Sequence, residues 1–176
     1  DGEPLIEPKL TGKVGGIPVR GYPDLVAMDA EGKVVVPDFK TPAPPSPEGF
    51  ELVSDQLTLY DELIRQNFHS LGLTGLEFGG TGFAEAMKKK VPKTNQGTGP
   101  YIEAPRIAPP RSQEDRADFR ERLEMAAEGI ANNRFPRNPR MAHNSPCELC
   151  DFKGYCLYGD TDDLVFPDEE QEEALM

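Results

Sequence analysis

Two short stretches of the chain carry the residues that could do chemistry. The first is GYPDLVAMDAEGKVVVPDFKTP, residues 21–42. It reads as a β-hairpin, yet it places Asp24, Asp38 and Lys40 where a plain buried hairpin would place apolar side chains. Taking Ala30-Glu31-Gly32 as a three-residue turn with Gly32 left-handed sets Asp29 opposite Lys33 and Asp24 opposite Asp38. Opposed Cβ atoms lie roughly 4.5–5.5 Å apart, so two carboxylates there repel unless positive charge lies between them. A hard divalent cation meets that need, since magnesium takes oxygen ligands at about 2.0–2.1 Å. Lys40, two residues past Asp38, shares its strand face. Two acids and an amine at one spot suit phosphodiester cleavage. The acids hold a metal that polarises the phosphate and lowers the pKa of a bound water. The amine orients or deprotonates that water, or stabilises the developing charge. Taken singly, Asp24 reads as a turn acid and Asp38–Lys40 as a surface ion pair. The shared spacing, and the apolar run before the acid, favour the site. A one-residue slip of register would send the acids to opposite faces.

The second stretch is CELCDFKGYC, with Cys147, Cys150 and Cys156 in a C-x2-C-x5-C pattern. Three clustered cysteines argue against a disulfide framework and for a metal site in a reducing, cytoplasmic-type compartment. Neighbouring thiolates on a tight turn bind either zinc or an iron–sulfur centre. His143, four residues before Cys147, would complete a four-ligand zinc set. A third reading is three bare thiols packed through Phe152 and Tyr155.

These residues need a scaffold. Residues 5–10 and 14–20 read as short strands broken by TGKVGG, ahead of the hairpin. TPAPPSPEG, residues 41–49, has four prolines and must be a loop. Leu57, Tyr60, Leu63, Ile64, Phe68 and Leu71 recur at helical spacing and predict a helix over 54–70. Residues 73–80 predict a strand, 91–100 a loop, and 101–108 a strand disturbed by Pro105. Ser112 with Asp115 forms a capping-box-like start to a helix burying Phe119, Leu123, Ala126, Ala127 and Ile130. The order predicts an α/β fold, a mixed β-sheet flanked by helices.

GYPDLV followed by VVVPDFKT resembles the signature of the PD-(D/E)XK nuclease superfamily. The resemblance implies a restriction-endonuclease-like core and Mg²⁺ or Mn²⁺ held by Asp24, Asp38 and the carbonyl of Phe39. It implies a catalytic role for Lys40. Gln56 and Tyr60, four apart in SDQLTLYDEL and so on one helix face, look like the Q-x-x-x-Y motif of the RecB-like branch. That branch includes the AddB nucleases and the CRISPR-associated adaptation nuclease, in which this pair supports the site or touches substrate. In its iron–sulfur members three such cysteines join a fourth from far upstream around a 4Fe–4S cluster. Here the fourth ligand is not in the chain, and Glu7 is the stand-in for an upstream His or Glu of the site. The start at Asp1 agrees with a trimmed N-terminal segment. The implied layout is a nuclease core over 1–146, a metal-cluster segment over 147–158 and an acidic tail over 159–176. His69 reads as structural or exposed.

Composition bounds the partners. The 176 residues carry a net charge of −12. Eight acids in residues 160–176 account for much of it, and without them the charge is −4. Lysines 88, 89, 90 and 93 and arginines 106, 111, 116, 120 and 122 predict a local basic groove, with a second set at 134, 137 and 140. No apolar run is long enough to span a membrane, and no signal peptide is visible. The expected activity is a metal-dependent DNA nuclease, an exonuclease on DNA ends or single strands, in repair, recombination or CRISPR adaptation. A helicase or recombination protein is the expected partner. The alternative is a non-catalytic DNA- or helicase-binding module on a degenerate nuclease fold. A restriction-type endonuclease ranks lower, because such enzymes generally lack the Gln–Tyr helix and the cysteines.

Overall fold

Val34, Val35 and Val36, an unbroken β-branched run, form the buried heart of the sheet. A computed structural model describes residues 4–91, 99–134, 150–162 and 164. The chain divides into two units, Asp1–Asn132 and Asn133–Met176. In the first, strand β5 (Val34–Lys40) pairs antiparallel with β4 (Leu25–Met28) and parallel with β6 (Phe78–Met87). A strand covered on both sides and both faces needs apolar residues throughout rather than in alternation. Further out, β1 (Leu5–Ile6) pairs with β4. Both β7 (Tyr101–Ile102) and β8 (Arg106–Ala108) pair with β6, which completes a six-stranded mixed sheet.

A parallel pair requires a crossover. Here it consists of the proline-rich loop, α1 (Phe50–Val53) and α2 (Asp55–Asn67). Helix α2 starts at Ser54, whose Oγ accepts from the Leu57 amide. Its Leu57, Tyr60, Leu63 and Ile64 pack on Leu10, Val26, Val34, Val36 and Phe83. A separate hairpin, β2 (Leu10–Val14) with β3 (Ile17–Gly21), turns at Gly15-Gly16, whose φ values of 57° and 82° are those of a primed two-residue turn. Gln66 of α2 bonds both the amide and the carbonyl of Lys13 and so docks this hairpin. Helix α3 (Gln113–Ala131) begins at a complete Ser112–Asp115 capping box. In the second unit α4 (Lys153–Tyr158) ends at Gly159, left-handed at φ 71°.

The mixed α/β sheet matches the expectation; several bounds do not. TGKVGG is not a break: its first residues are β2, and only the glycine pair turns. The strand expected over 73–80 lies at 78–87. The segment 101–108 forms two strands, β7 and β8, not one. In α3, Phe119 is buried, but Ala126 and Ile130 are exposed and Leu123 and Ala127 only half-buried. Toward its middle the helix still meets the β2–β3 turn, where a Cβ on Gly15 would lie 2.8 Å from Arg120 Cγ. Four of the five arginines expected to line a groove are engaged within the unit. Arg106 pairs with Glu85 and Glu51, Arg116 with Glu62 and Arg122 with Asp55. Arg111 is buried, donating to Thr58 Oγ1 (2.9 Å) and the Glu51 carbonyl (2.6 Å). These cations hold helices and strands together. Lys93, Arg137, Arg140, His143 and Cys147 lie outside the described residues.

The glycines of FGGTGF are set by contact. A Cβ on Gly82 would lie 2.0 Å from the Arg106 carbonyl oxygen, and one on Gly80 1.9 Å from that of Ala108. They let β8 press onto β6. Gly82→Ala should therefore cost roughly 1–3 kcal/mol through overpacking, read as a lower midpoint in thermal or urea denaturation. An unchanged midpoint would mean that β8 yields without penalty.

Candidate active site

The hairpin places its two acids on either side of one backbone amide. Ala27 faces Val35 and Met28 faces Val34, and the Asp29 amide donates to the Lys33 carbonyl. Gly32 is left-handed at φ 79°. Continued to the residue before β4, this register sets Asp24 level with Asp38. Asp24 is not itself paired as strand; its Oδ2 accepts from the Phe39 amide at 2.6 Å. Asp38 is 2% exposed. Phe39, between the acid and the amine, turns its ring outward and is exposed.

Segment 21–24 is held from above by α2. A Cβ on Gly21 would meet Leu63 at 2.8 Å and the Tyr60 ring at 3.2 Å, so glycine lets that ring come close. The Tyr60 hydroxyl donates to the Tyr22 carbonyl at 3.2 Å, and Pro23 is fully buried. Asp24 therefore leaves an anchored segment.

Gln56 links the other groups. Its Oε1 accepts from Lys40 Nζ at 3.0 Å, and its Nε2 donates to Asp38 Oδ1 at 3.2 Å and to the Tyr60 hydroxyl at 3.1 Å. Ammonium can only donate and carboxylate can only accept, so these neighbours fix which way the amide points. Lys40 Nζ also pairs with Asp38 Oδ2 at 2.5 Å and lies 5.7 Å from the centre of the Phe83 ring. Phe83 is the residue facing Asp38 in the parallel ladder.

Burial pushes the Asp38 carboxyl above its ordinary value of 3.8; Lys40 opposes the shift and the nearby Asp24 charge adds to it. Burial likewise raises the Tyr60 phenol, against the hydrogen bond from Gln56. Asp38, Lys40, Gln56 and Tyr60 thus form one hydrogen-bonded set, with Asp24 joined through the Phe39 amide. Glu7 touches this region only by its backbone, its amide donating to the Asp24 carbonyl at 3.0 Å, and its side chain is exposed. His69 stands apart, against Thr74 Oγ1 at 3.1 Å. Among the described residues no three His, Cys, Asp or Glu side chains gather as a metal site. Two acids and a strand carbonyl are nonetheless a hard, all-oxygen donor set, and their mutual repulsion at Asp38 is what a cation relieves. Cys150 and Cys156 are free thiols, exposed and half-buried.

One group escaped the sequence reading. Glu85 is 1% exposed and is the ladder partner of Lys40. It accepts from the Ser46 amide and hydroxyl and from Arg106. The visible signal is an acid inside the apolar strand FAEAM, two residues beyond Phe83 on the same face.

Residues 3–157 match the PD-(D/E)XK nuclease superfamily. No curated protein matches the chain. A crystal structure of SSO0001 is 19% identical, with 88% of this chain and 60% of that one covered, at a TM-score of 0.47. A candidate exonuclease from Eubacterium rectale is 19% identical, with 96% and 56% covered, at a TM-score of 0.45. The chain spans less than two thirds of the length of either. No described helix is long and apolar enough to cross a membrane.

The raised Asp38 pKa makes a testable statement. An acid whose folded pKa exceeds its unfolded one stabilises the fold only while protonated; that stability is lost as pH rises from 3.8 through the raised value. In chelator, Asp38→Asn should melt above wild type at neutral pH, with the gain vanishing as pH falls through that window. Thermal melts across pH check this, and a variant less stable at every pH would contradict it.

Proposed function

The chain belongs to the PD-(D/E)XK nuclease superfamily, and we propose that it is a Mg²⁺- or Mn²⁺-dependent deoxyribonuclease acting on DNA ends or single strands. The observation that carries this reading is the Gln56 amide, which holds Lys40 and Asp38 together beneath the Asp24 segment. Asp24, Asp38 and the Phe39 carbonyl would hold the ion, which when bound polarises the scissile phosphate and lowers the pKa of a water. Lys40 brings an ammonium to the same place. Its amine orients the attacking water or stabilises charge developing on the phosphate. Gln56 sets the direction of that amine. Tyr60 fixes the Tyr22–Asp24 segment through its hydroxyl and so positions the first acid. An exonuclease mode, and a helicase or recombination partner, extend this reading through the likeness of Gln56 and Tyr60 to the RecB-like motif.

The test is cleavage of end-labelled single- and double-stranded DNA with Mg²⁺ or Mn²⁺. Asp38→Ala and Lys40→Ala should each lower the rate by about 10²- to 10⁴-fold while DNA binding persists. Full activity in either variant would reject the assignment. Independently of activity, Mg²⁺ or Mn²⁺ should raise the melting temperature of wild type through linkage and leave Asp38→Asn unmoved.

For the second unit we propose that Cys147, Cys150 and Cys156 bind a metal centre. Cys150 precedes α4 and its carbonyl accepts from the Lys153 amide, while Cys156 lies within α4, its amide donating to the Phe152 carbonyl. A 4Fe–4S cluster is the first choice, and zinc with His143 the second. Elemental analysis decides: iron with visible absorption supports the cluster, and zinc in a colourless protein supports the His143 set. Neither metal at stoichiometric level would leave three plain thiols.

A further inference from the structure

Phe50 opens α1 with 46% of its surface exposed, although it is packed on a buried partner. Its ring stacks on Phe83 with centres 5.7 Å apart and planes 18° from parallel. Phe83 also carries Lys40 Nζ over its ring, and it faces Asp38 in the ladder. One buried ring therefore supports both the site's amine and an open aromatic face. The platform is held in place. The Phe50 amide donates to the Pro47 carbonyl, and Arg106 donates to the carbonyls of Ser46 and Pro47. Cationic residues continue the surface at this end of the parallel pair. Lys88, Lys89 and Lys90 follow β6 and are exposed, and the Lys88 amide bonds the Pro42 carbonyl just beyond Lys40.

We infer that Phe50 stacks a nucleobase of a single-stranded substrate end, next to the phosphate held at Asp38 and Lys40, with neighbouring phosphates running toward Lys88–Lys90. This rests on the nuclease reading and adds the substrate's form to it. A flat, half-open aromatic beside cations is the combination that binds single strands irrespective of sequence, because every base has an apolar face. A base inside a duplex is covered on both faces by its stacked neighbours, so all but the terminal pair would have to be unstacked first. The occupant is thus an unpaired base, and a second copy of the chain or a protein segment are the competing outcomes.

The chain contains no tryptophan, so Phe50→Trp installs a single fluorescent reporter. With metal chelated, an oligothymidylate should quench that fluorescence saturably, and an abasic strand of equal length should bind several-fold more weakly. In cleavage assays with metal, Phe50→Ala and Phe50→Leu should raise KM for single strands by about 5- to 100-fold with kcat little changed. Phe50→Tyr should keep wild-type KM. Phe50→Leu keeps apolar bulk without a flat face, so it separates stacking from packing should Phe50→Ala unfold. Equal quenching by the abasic strand, or an unchanged KM in Phe50→Leu, overturns the stacking role. A Trp signal that shifts with protein concentration and ignores DNA assigns the face to self-association and also overturns it. If wild type cleaves DNA and these signs are absent, the stack fails and the nuclease reading survives. If wild type is inert yet quenching depends on bases, the nuclease reading fails and a single-strand site remains.

Discussion

A carboxylate buried at the end of the central strand is the constraint around which this fold is arranged. Asp38 follows four buried residues of β5 and is itself closed from solvent. A buried charge is unfavourable unless paired and hydrogen-bonded. Lys40 cannot meet that need alone, because its side chain is 40% exposed and screened by water. The Gln56 amide supplies the neutral remainder, one donor to the acid and one acceptor for the amine. The crossover helix must therefore lie where it does: α2 rotated by one residue would turn Gln56 away and bury the acid without its second partner. The same rotation is fixed independently by Leu57, Leu63 and Ile64, which are wholly buried against the sheet. Core packing and site chemistry specify one orientation, which is the consistency expected of a foldable sequence.

Glutamine suits this position for a reason specific to the pair. Asparagine is one methylene short of bridging from α2 to both partners. Glutamate would bond Lys40 but set a third carboxylate against Asp38, adding to the repulsion that Asp24 already exerts. An uncharged group that donates on one side and accepts on the other joins acid and amine without changing the net charge of the site.

How much of this the sequence disclosed depended on the range of the forces involved. The hairpin was legible because a short turn fixes register locally, and the left-handed Gly32 and the Asp29–Lys33 pairing bear that out. The Ser112–Asp115 cap was legible for the same reason. Strand β6 lies later than the expected 73–80, and what selects glycine at Gly80 and Gly82 is the carbonyl chain of β8, some 25 residues away in sequence. The arginines from 106 to 122 looked like a groove because a list of charges omits their partners, and Glu51, Asp55, Glu62 and Glu85 lie between 21 and 67 residues distant. The Gly15-Gly16 pair was recognised as a breaker, but its two positive φ values make it a tight reversal within a hairpin rather than the end of one strand.

The proline-rich loop shows why such distant charges are buried at all. Pro42, Pro44, Pro45 and Pro47 have no amide hydrogen, so residues 41–47 have few backbone donors with which to hold themselves. The Ser46 carbonyl takes its donor from Arg106, and the Pro47 carbonyl accepts from both Arg106 and the Phe50 amide. The amide and hydroxyl of Ser46, between Pro45 and Pro47, go to Glu85. Glu85 and Arg106 then neutralise each other, so the pair can remain inside the protein while its spare valences hold the loop. Proline restricts the loop's own freedom, and the ion pair chooses its position. Helix α1 begins where that loop ends, and the Phe50 ring comes to rest against Phe83 beside Lys40. A loop of glycine and serine could span the same gap, but it would leave the ring to wander, and stacking on an unfixed platform loses affinity to the entropy of ordering it.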